Sequence, residues 1–184
     1  MTSMFDPRRV SLVLAAGLLC ADVTGCRCDP AHPESMQARE CSLCSEAEKL
    51  PADAELFFLR DNNPRKPNRW LVLPRAHAAV GHPLHELPRA LQIKLWQAAI
   101  AKAKELWGEE WGLAYNSEKF RTQCHTHIHI GRLLRGLAPG KYYDVEQPDQ
   151  IRAPSDGTGI WVHPAGGKLR VHYGEGITET ALLR

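Results

Sequence analysis

The chain has 184 residues, with 23 basic and 21 acidic side chains and a formal charge of +2. That length supports one domain with a real core, and a near-neutral balance without a long basic run argues against nucleic acid as a partner. Gly and Pro are scattered rather than repeated, no internal repeat is visible, and five tryptophans imply a substantial apolar interior.

The first segment reads as an export signal. Arg8 and Arg9 precede the apolar run Val10–Cys20, which is shorter than the roughly 20 residues of an ordinary membrane helix. Val23-Thr24-Gly25-Cys26 resembles a bacterial lipoprotein box, although Asp22 makes its approach more polar than usual. Residues 1–25 are therefore expected to be a signal peptide of lipoprotein type, with Cys26 lipidated. Cleavage by ordinary signal peptidase near Ala21, an uncleaved tether and a misassigned start codon are the competing readings. The expected location is outside the cytoplasm on a lipid anchor; a cytoplasmic or uncleaved, membrane-tethered protein is the alternative. Residues 26–40, with Pro30 and Pro33 among small polar residues, read as a linker or exposed arm.

A single domain with a C-terminal extension is expected over residues 41–184. Cys41-Ser42-Leu43-Cys44 has the spacing of half a zinc site, and equally of a disulfide, a redox pair or two unconnected buried thiols. Glu46–Leu50 reads as a turn or short helix. Glu55–Arg60 reads as a strand, stopped by Asp61-Asn62-Asn63-Pro64; Arg65-Lys66-Pro67 then reads as a solvated loop. A second strand is expected at Trp70–Leu73, with His77 and His82 just beyond it. Pro88–Trp107 is the clearest helix, because Trp96, Ala99, Ile100, Ala103, Leu106 and Trp107 recur at helical spacing and Gly108 follows. Leu113–Tyr115 predicts a strand and Asn116–Gln123 a polar loop.

Cys124-His125-Thr126-His127-Ile128-His129-Ile130-Gly131 is the stretch with the strongest chemical signal. In a strand, alternate side chains share a face, so His125, His127 and His129 are expected on one side and Thr126, Ile128 and Ile130 on the other. Three imidazoles gathered this way point to a metal site or to phosphate chemistry. Beyond them, Gly136, Pro139 and Gly140 mark a turn, Gln147–Gly159 reads as a loop, and Ile160–His163 and Leu169–Tyr173 read as a hairpin joined by residues 164–168. Ile177–Leu183 is left open between helix and strand. A helix set among antiparallel strands predicts an α+β domain.

The alternating histidines resemble the histidine-triad superfamily, with Thr126 a mild departure from its usual apolar slot. Asn116-Ser117, Arg121-Thr122-Gln123 and the triad look closest to the CDP-diacylglycerol pyrophosphatase branch, and Trp70-Leu71-Val72-Leu73-Pro74-Arg75 resembles the segment upstream of the helix in triad proteins. The likeness spans roughly residues 41–135. It implies a HIT-like antiparallel sheet with one principal packed helix. It also implies a hydrolase that cleaves a nucleotide pyrophosphate linkage through a nucleotidyl-histidine, turning CDP-diacylglycerol into CMP and phosphatidate.

In that reading His127 is the nucleophile, His129 contacts phosphate oxygens, and His125 supports the leaving-group side. Arg121, Thr122 and Asn116 are the substrate-binding candidates, with a surface ion pair and a loop cap as the plain readings of Arg121 and Asn116. The chemistry requires no cofactor. Some triad relatives hold a structural zinc, and the matching residues here are Cys41, Cys44, His77 and His125. Export makes disulfides an alternative fate of the cysteines, pairing Cys28 with Cys124 or Cys41 with Cys44. The implied partner is a nucleotide-containing lipid or a small-molecule nucleotide, with the membrane reached through the lipid anchor; a homodimer is compatible. Dinucleoside polyphosphate or nucleotide phosphoramidate hydrolysis is the runner-up activity, and a zinc-binding, non-enzymatic module the more distant one.

Overall fold

The computed structural model describes residues 26–77, 82–137 and 140–184, so the expected signal at residues 1–25 lies outside the described residues. Ser42–Glu48 forms α1 and Arg89–Trp107 forms α2. The start of α1 lies inside the CxxC spacing, earlier than the turn expected at Glu46–Leu50, because Cys44 and Ala47 share one buried helical face. α2 keeps the expected span to within one residue and ends at Gly108, whose φ of 58° suits a residue without a side chain.

The described residues form seven strands: β1 Leu56–Arg60, β2 Trp70–Pro74, β3 Trp111–Tyr115, β4 Ile128–Arg132, β5 Tyr142–Val145, β6 Gly159–Ala165 and β7 Lys168–Glu175. They form one antiparallel sheet in the order β1-β2-β4-β3-β6-β7-β5. The architecture is thus α+β, a multi-stranded antiparallel sheet with two packed helices. The β6–β7 hairpin turns on Gly166 and Gly167, both with positive φ, as a two-residue type I′ turn requires. β5 escapes the sequence pattern because it is an edge strand with an exposed alternate face and little apolar signal.

α2 covers one face of the sheet. Its Leu95, Trp96, Ala99 and Ala103 pack without exposure against a core that includes Val72, Leu113, Ile128, Ile130, Val162 and Val171. Burying this much apolar surface is the main stabilising contribution to the fold. Leu106, expected on the buried stripe, is instead exposed in the last turn, where Trp107 takes the packing position.

The other face carries a row that crosses all seven strands: Leu59, Leu71, His129, Ala114, Trp161, His172 and Tyr142 are successive cross-strand partners. The C-terminal segment lies on the middle of this face. Gly112 and Gly131 pair directly there, and a Cβ at either would press on Leu182, at 2.6 Å from its Cδ2 and 3.2 Å from its Cβ respectively. Leu134 N–H donates to Ala181 O and Leu183 N–H to Arg132 O, each at 2.8 Å, so the tail is bonded to the end of β4.

Residues 26–40 form more than a linker. Cys26 is bonded to Cys124 and Cys28 to Cys41, and Cys28 is fully buried. The arm is thereby fastened to the segment just ahead of the histidine stretch. Neither disulfide pairing considered from the sequence, Cys28–Cys124 or Cys41–Cys44, occurs. Folding brings Cys28 to its neighbour Cys41 and leaves Cys44 as a buried free thiol.

Candidate functional site

The histidine stretch is only partly a strand. β4 begins at Ile128, so His129 lies in the sheet while His125 and His127 sit in the irregular segment ahead of it. The expected one-faced triad is corrected accordingly. His127 and His129 line a cleft of about 670 Å³, and their rings meet edge-on with centroids 4.8 Å apart. His125 instead lines a separate small cavity with Cys44 and His77, because the chain has not yet taken up strand alternation at that point.

His127 has one nitrogen assigned by the backbone. Its Nδ1 lies 2.8 Å from His125 O, and only an N–H can donate to a carbonyl, so the proton sits on Nδ1 and the lone pair on Nε2. Burial pushes the His127 pKa below the ordinary histidine value, which keeps the ring neutral near pH 7. His129 is held well below the ordinary value by burial first and by neighbouring His127 second. Both of its ring nitrogens are buried without a hydrogen-bond partner, a costly state that suits a group awaiting a ligand.

The cleft wall explains the polar stretches of the sequence. Arg39, Arg60, Lys66 and Arg121 supply positive charge, Asp61, Asn62 and Asn63 supply polar groups, and Leu43, Leu59, Leu71 and Phe120 supply apolar surface. Lys66, read from the sequence as part of a solvated loop, in fact faces this site. Arg121 and Thr122 line it as expected. Arg121 Nη1 also donates to His82 O at 3.3 Å, which holds the guanidinium over the entrance to the histidine segment. Gln123 bridges the loop to the arm, accepting from Ser42 Oγ at 2.9 Å and donating to Arg39 O at 3.1 Å.

Asn116 reaches the cleft, but its Oδ1 is engaged. It accepts from Glu179 N–H at 3.0 Å and from Thr178 Oγ at 3.3 Å. Its observed role is to fasten the C-terminal segment, and that brings in a residue the sequence did not mark. Glu179 lines the cleft beside His129 and pairs with Lys66 and Arg69. Burial opposes its ionisation, but His129, Lys66 and Arg69 outweigh that and hold its carboxyl down at about 2. Arg69 and Glu179 are 110 residues apart, and nothing in the sequence ties one to the other.

Of the four residues expected to share a zinc, Cys44, His77 and His125 line one small cavity, with the His77 and His125 ring centroids 5.4 Å apart, and Cys41 is the one that is otherwise engaged. Cys41 is bonded to Cys28 and has no thiolate to offer in this state. The Cys44 thiol is buried and its pKa is pushed up to about 12 by that burial. His77 Nε2 faces Glu48 Oε1 at 2.8 Å. His125 Nδ1 meets Thr126 O at 3.0 Å, while its Nε2 is buried without a partner. The expected lipid attachment at Cys26 meets a similar obstacle, because its sulfur is bonded to Cys124 and cannot also form a thioether.

A different set of sulfurs is gathered. The Sγ atoms of Cys28, Cys41 and Cys124 all lie within 4.8 Å of one another, a spacing consistent with a structural metal site. Metal binding and the two disulfides are alternative states of these sulfurs, since only a reduced cysteine supplies the thiolate that zinc takes.

No protein-family model matches the chain, and no curated protein matches it. Among the described residues no helix is long and apolar enough to cross a membrane.

Proposed function

We propose that the chain is a HIT-like nucleotide hydrolase that cleaves a pyrophosphate linkage through a nucleotidyl-histidine at His127. The observation that carries this reading is the tautomer of His127: with Nδ1–H donated to His125 O, Nε2 keeps its lone pair in a cleft walled by Arg121 and Lys66. Neutral imidazole is a competent nucleophile near pH 7 and needs no second base to free it. Nε2 attacks the phosphorus next to the nucleoside, an N–P bond forms, and the bond to the bridging oxygen breaks. The leaving phosphate departs with that oxygen. Water then attacks the same phosphorus and gives up a proton to solvent, a P–O bond forms as the N–P bond breaks, and the nucleoside monophosphate is released while the imidazole regains its starting neutral form. Arg121 and Lys66 offset charge on the non-bridging oxygens as they become equatorial.

CDP-diacylglycerol, giving CMP and phosphatidate, is the leading substrate, and its choice rests on the resemblance around Asn116-Ser117 and Arg121-Thr122-Gln123. The mixed and largely polar lining, with Asp61, Asn62 and Asn63 among it, favours dinucleoside polyphosphates as the second reading. Location outside the cytoplasm and a nucleotide partner belong to the same proposal. The test is a brief reaction with CDP-diacylglycerol labelled in the phosphate next to cytidine, run beside a labelled dinucleoside polyphosphate. Acid-labile label on His127 and release of labelled CMP support the mechanism. CMP release by His127→Ala at the wild-type rate overturns the nucleophile, and turnover of the dinucleotide alone overturns only the substrate.

A further inference from the structure

Glu179 comes from the C-terminal segment, far from every motif in the histidine region, yet its carboxylate lines the cleft with His127 and His129. Two nitrogens bond to its Oε2 and a third stands near it. Lys66 Nζ bonds to it, Arg69 Nη1 bonds to it at 2.8 Å, and His129 Nδ1 stands 3.8 Å away, just beyond bonding distance. Arg69 and Lys66 differ in freedom. The Arg69 side chain is only 3% exposed and spends its other nitrogens on Leu183 O, Glu179 O and Leu182 O, so it clamps the tail in place. Lys66 comes from the β1–β2 loop, lines the cleft, and can swing towards an anion that enters it.

The segment holding Glu179 is built to stay put. Asn116 Oδ1 accepts its N–H at 3.0 Å, Arg69 takes its carbonyl at 2.9 Å, and the Gly112–Gly131 pair leaves room for Leu182. A carboxylate fixed this firmly beside two unpartnered imidazole nitrogens is poised to accept one of their protons.

On the reading that this cleft binds phosphate, we propose that Glu179 is the positioning residue for His129. When an anionic phosphate enters, Lys66 leaves Glu179 for a phosphate oxygen, and Glu179 Oε2 accepts Nδ1–H of His129. His129 then takes up one proton from solvent at Nε2 and donates it in a hydrogen bond to a second phosphate oxygen. The one bond formed is Nε2–H, its proton supplied by solvent; no bond to phosphorus is made or broken, and the bound anion balances the added charge. The charged and titratable groups that face His129 are Glu179 from the tail, Lys66 from the β1–β2 loop, Arg69 at the start of β2, and His127 on its own segment. Glu179 is the one group of the four that favours the charged ring.

The experiment follows the imidazole nitrogens by NMR in the His127→Ala chain, where no hydrolysis complicates binding, with CMP and inorganic pyrophosphate as separate probes at pH 7. The expected result is a His129 that changes from neutral to doubly protonated on binding. Glu179→Gln should leave it neutral, and Glu179→Asp should restore a part of the change. In the His127-containing enzyme, Glu179→Gln should lower kcat about tenfold with a smaller change in KM, and move the alkaline limb of the pH profile to lower pH. The shorter carboxylate tests for fold, since a merely structural glutamate would leave the nitrogen shifts and the limb unmoved. Equal protonation of His129 in the Glu179→Gln variant, or none in either chain despite perturbed cleft residues, overturns the positioning role alone. No perturbation by either probe overturns the nucleotide reading and this inference with it.

Discussion

Two pairs of histidines have opposite fates: His129, His163 and His172 share one face of the sheet, and His127 stands just ahead of β4 beside His129. His127 and His129 stand edge-on beside an open cleft, and His129 has no hydrogen-bond partner at either nitrogen. His163 and His172, towards the far end, are turned on each other with Nε2 atoms 3.1 Å apart. His163 Nδ1 donates to Pro164 O at 2.9 Å, so its Nε2 accepts and His172 Nε2–H donates. Trp161 then stacks on His172 with centroids 3.6 Å apart and planes 4° from parallel. Each pair has one ring fixed by a backbone acceptor, but one pair faces a charged cleft and the other closes an imidazole hydrogen bond beneath an indole. Chemistry follows from what surrounds the rings, and residue type alone separates neither pair from the other.

The largest contrast comes from substitution at one member of each pair. On the proposed mechanism His127→Ala is expected to reduce nucleotide turnover roughly a thousandfold, since it removes the group assigned to form the covalent intermediate. His172→Ala is expected to leave turnover within about twofold while costing about 2 kcal/mol of stability through the lost stack. Steady-state kinetics and denaturant melts on both variants check the pair. A comparable loss of turnover in His172→Ala would break the comparison.

The disulfides sharpen it next, because both fasten the cleft end of the molecule. Cys26–Cys124 closes a loop with a sequence separation of 98 and anchors the residue directly before His125. Cys124→Ser is expected to cost about 2–4 kcal/mol of unfolding free energy. Hydrogen exchange should rise through residues 121–127 and stay unchanged in β6 and β7. The unsubstituted chain, fully reduced under nitrogen and given Zn²⁺, should hold metal at the Cys28, Cys41 and Cys124 sulfurs and lose it when Cys28 is replaced by serine. Retention of the metal by that variant would move the site elsewhere.

Arg121→Ala is a smaller cut at the cleft, expected to slow turnover by about ten- to a hundredfold with the melting curve almost unchanged. The smallest effect is a slope in pH. Burial pulls the His172 pKa down to about 4, so the unfolded chain binds its proton first. Its contribution to stability is full above about pH 6.5 and is lost as pH falls towards the folded value near 4. His125, depressed by burial to about 3, adds to the same acid loss. His172→Gln should therefore flatten the decline of melting temperature between pH 7 and 4 without abolishing it.

Much of the fold was legible in the order of residues alone. The stripe through Trp96, Ala99, Ile100 and Ala103 dictates α2, the apolar runs dictate β1, β2, β3, β6 and β7, and Gly166-Gly167 dictates a tight hairpin. These features depend on local period and turn chemistry, which neighbouring residues settle among themselves. The alternation of histidines also marked the right neighbourhood for a cleft. What only the tertiary structure decided is which groups meet there. His125 leaves the cleft because β4 starts three residues later, the sulfurs pair across the arm, and Asn116 and Arg69 draw Glu179 to His129 from the far end of the chain. Each of those outcomes depends on contacts between residues distant in sequence, and such contacts leave no period or spacing to read.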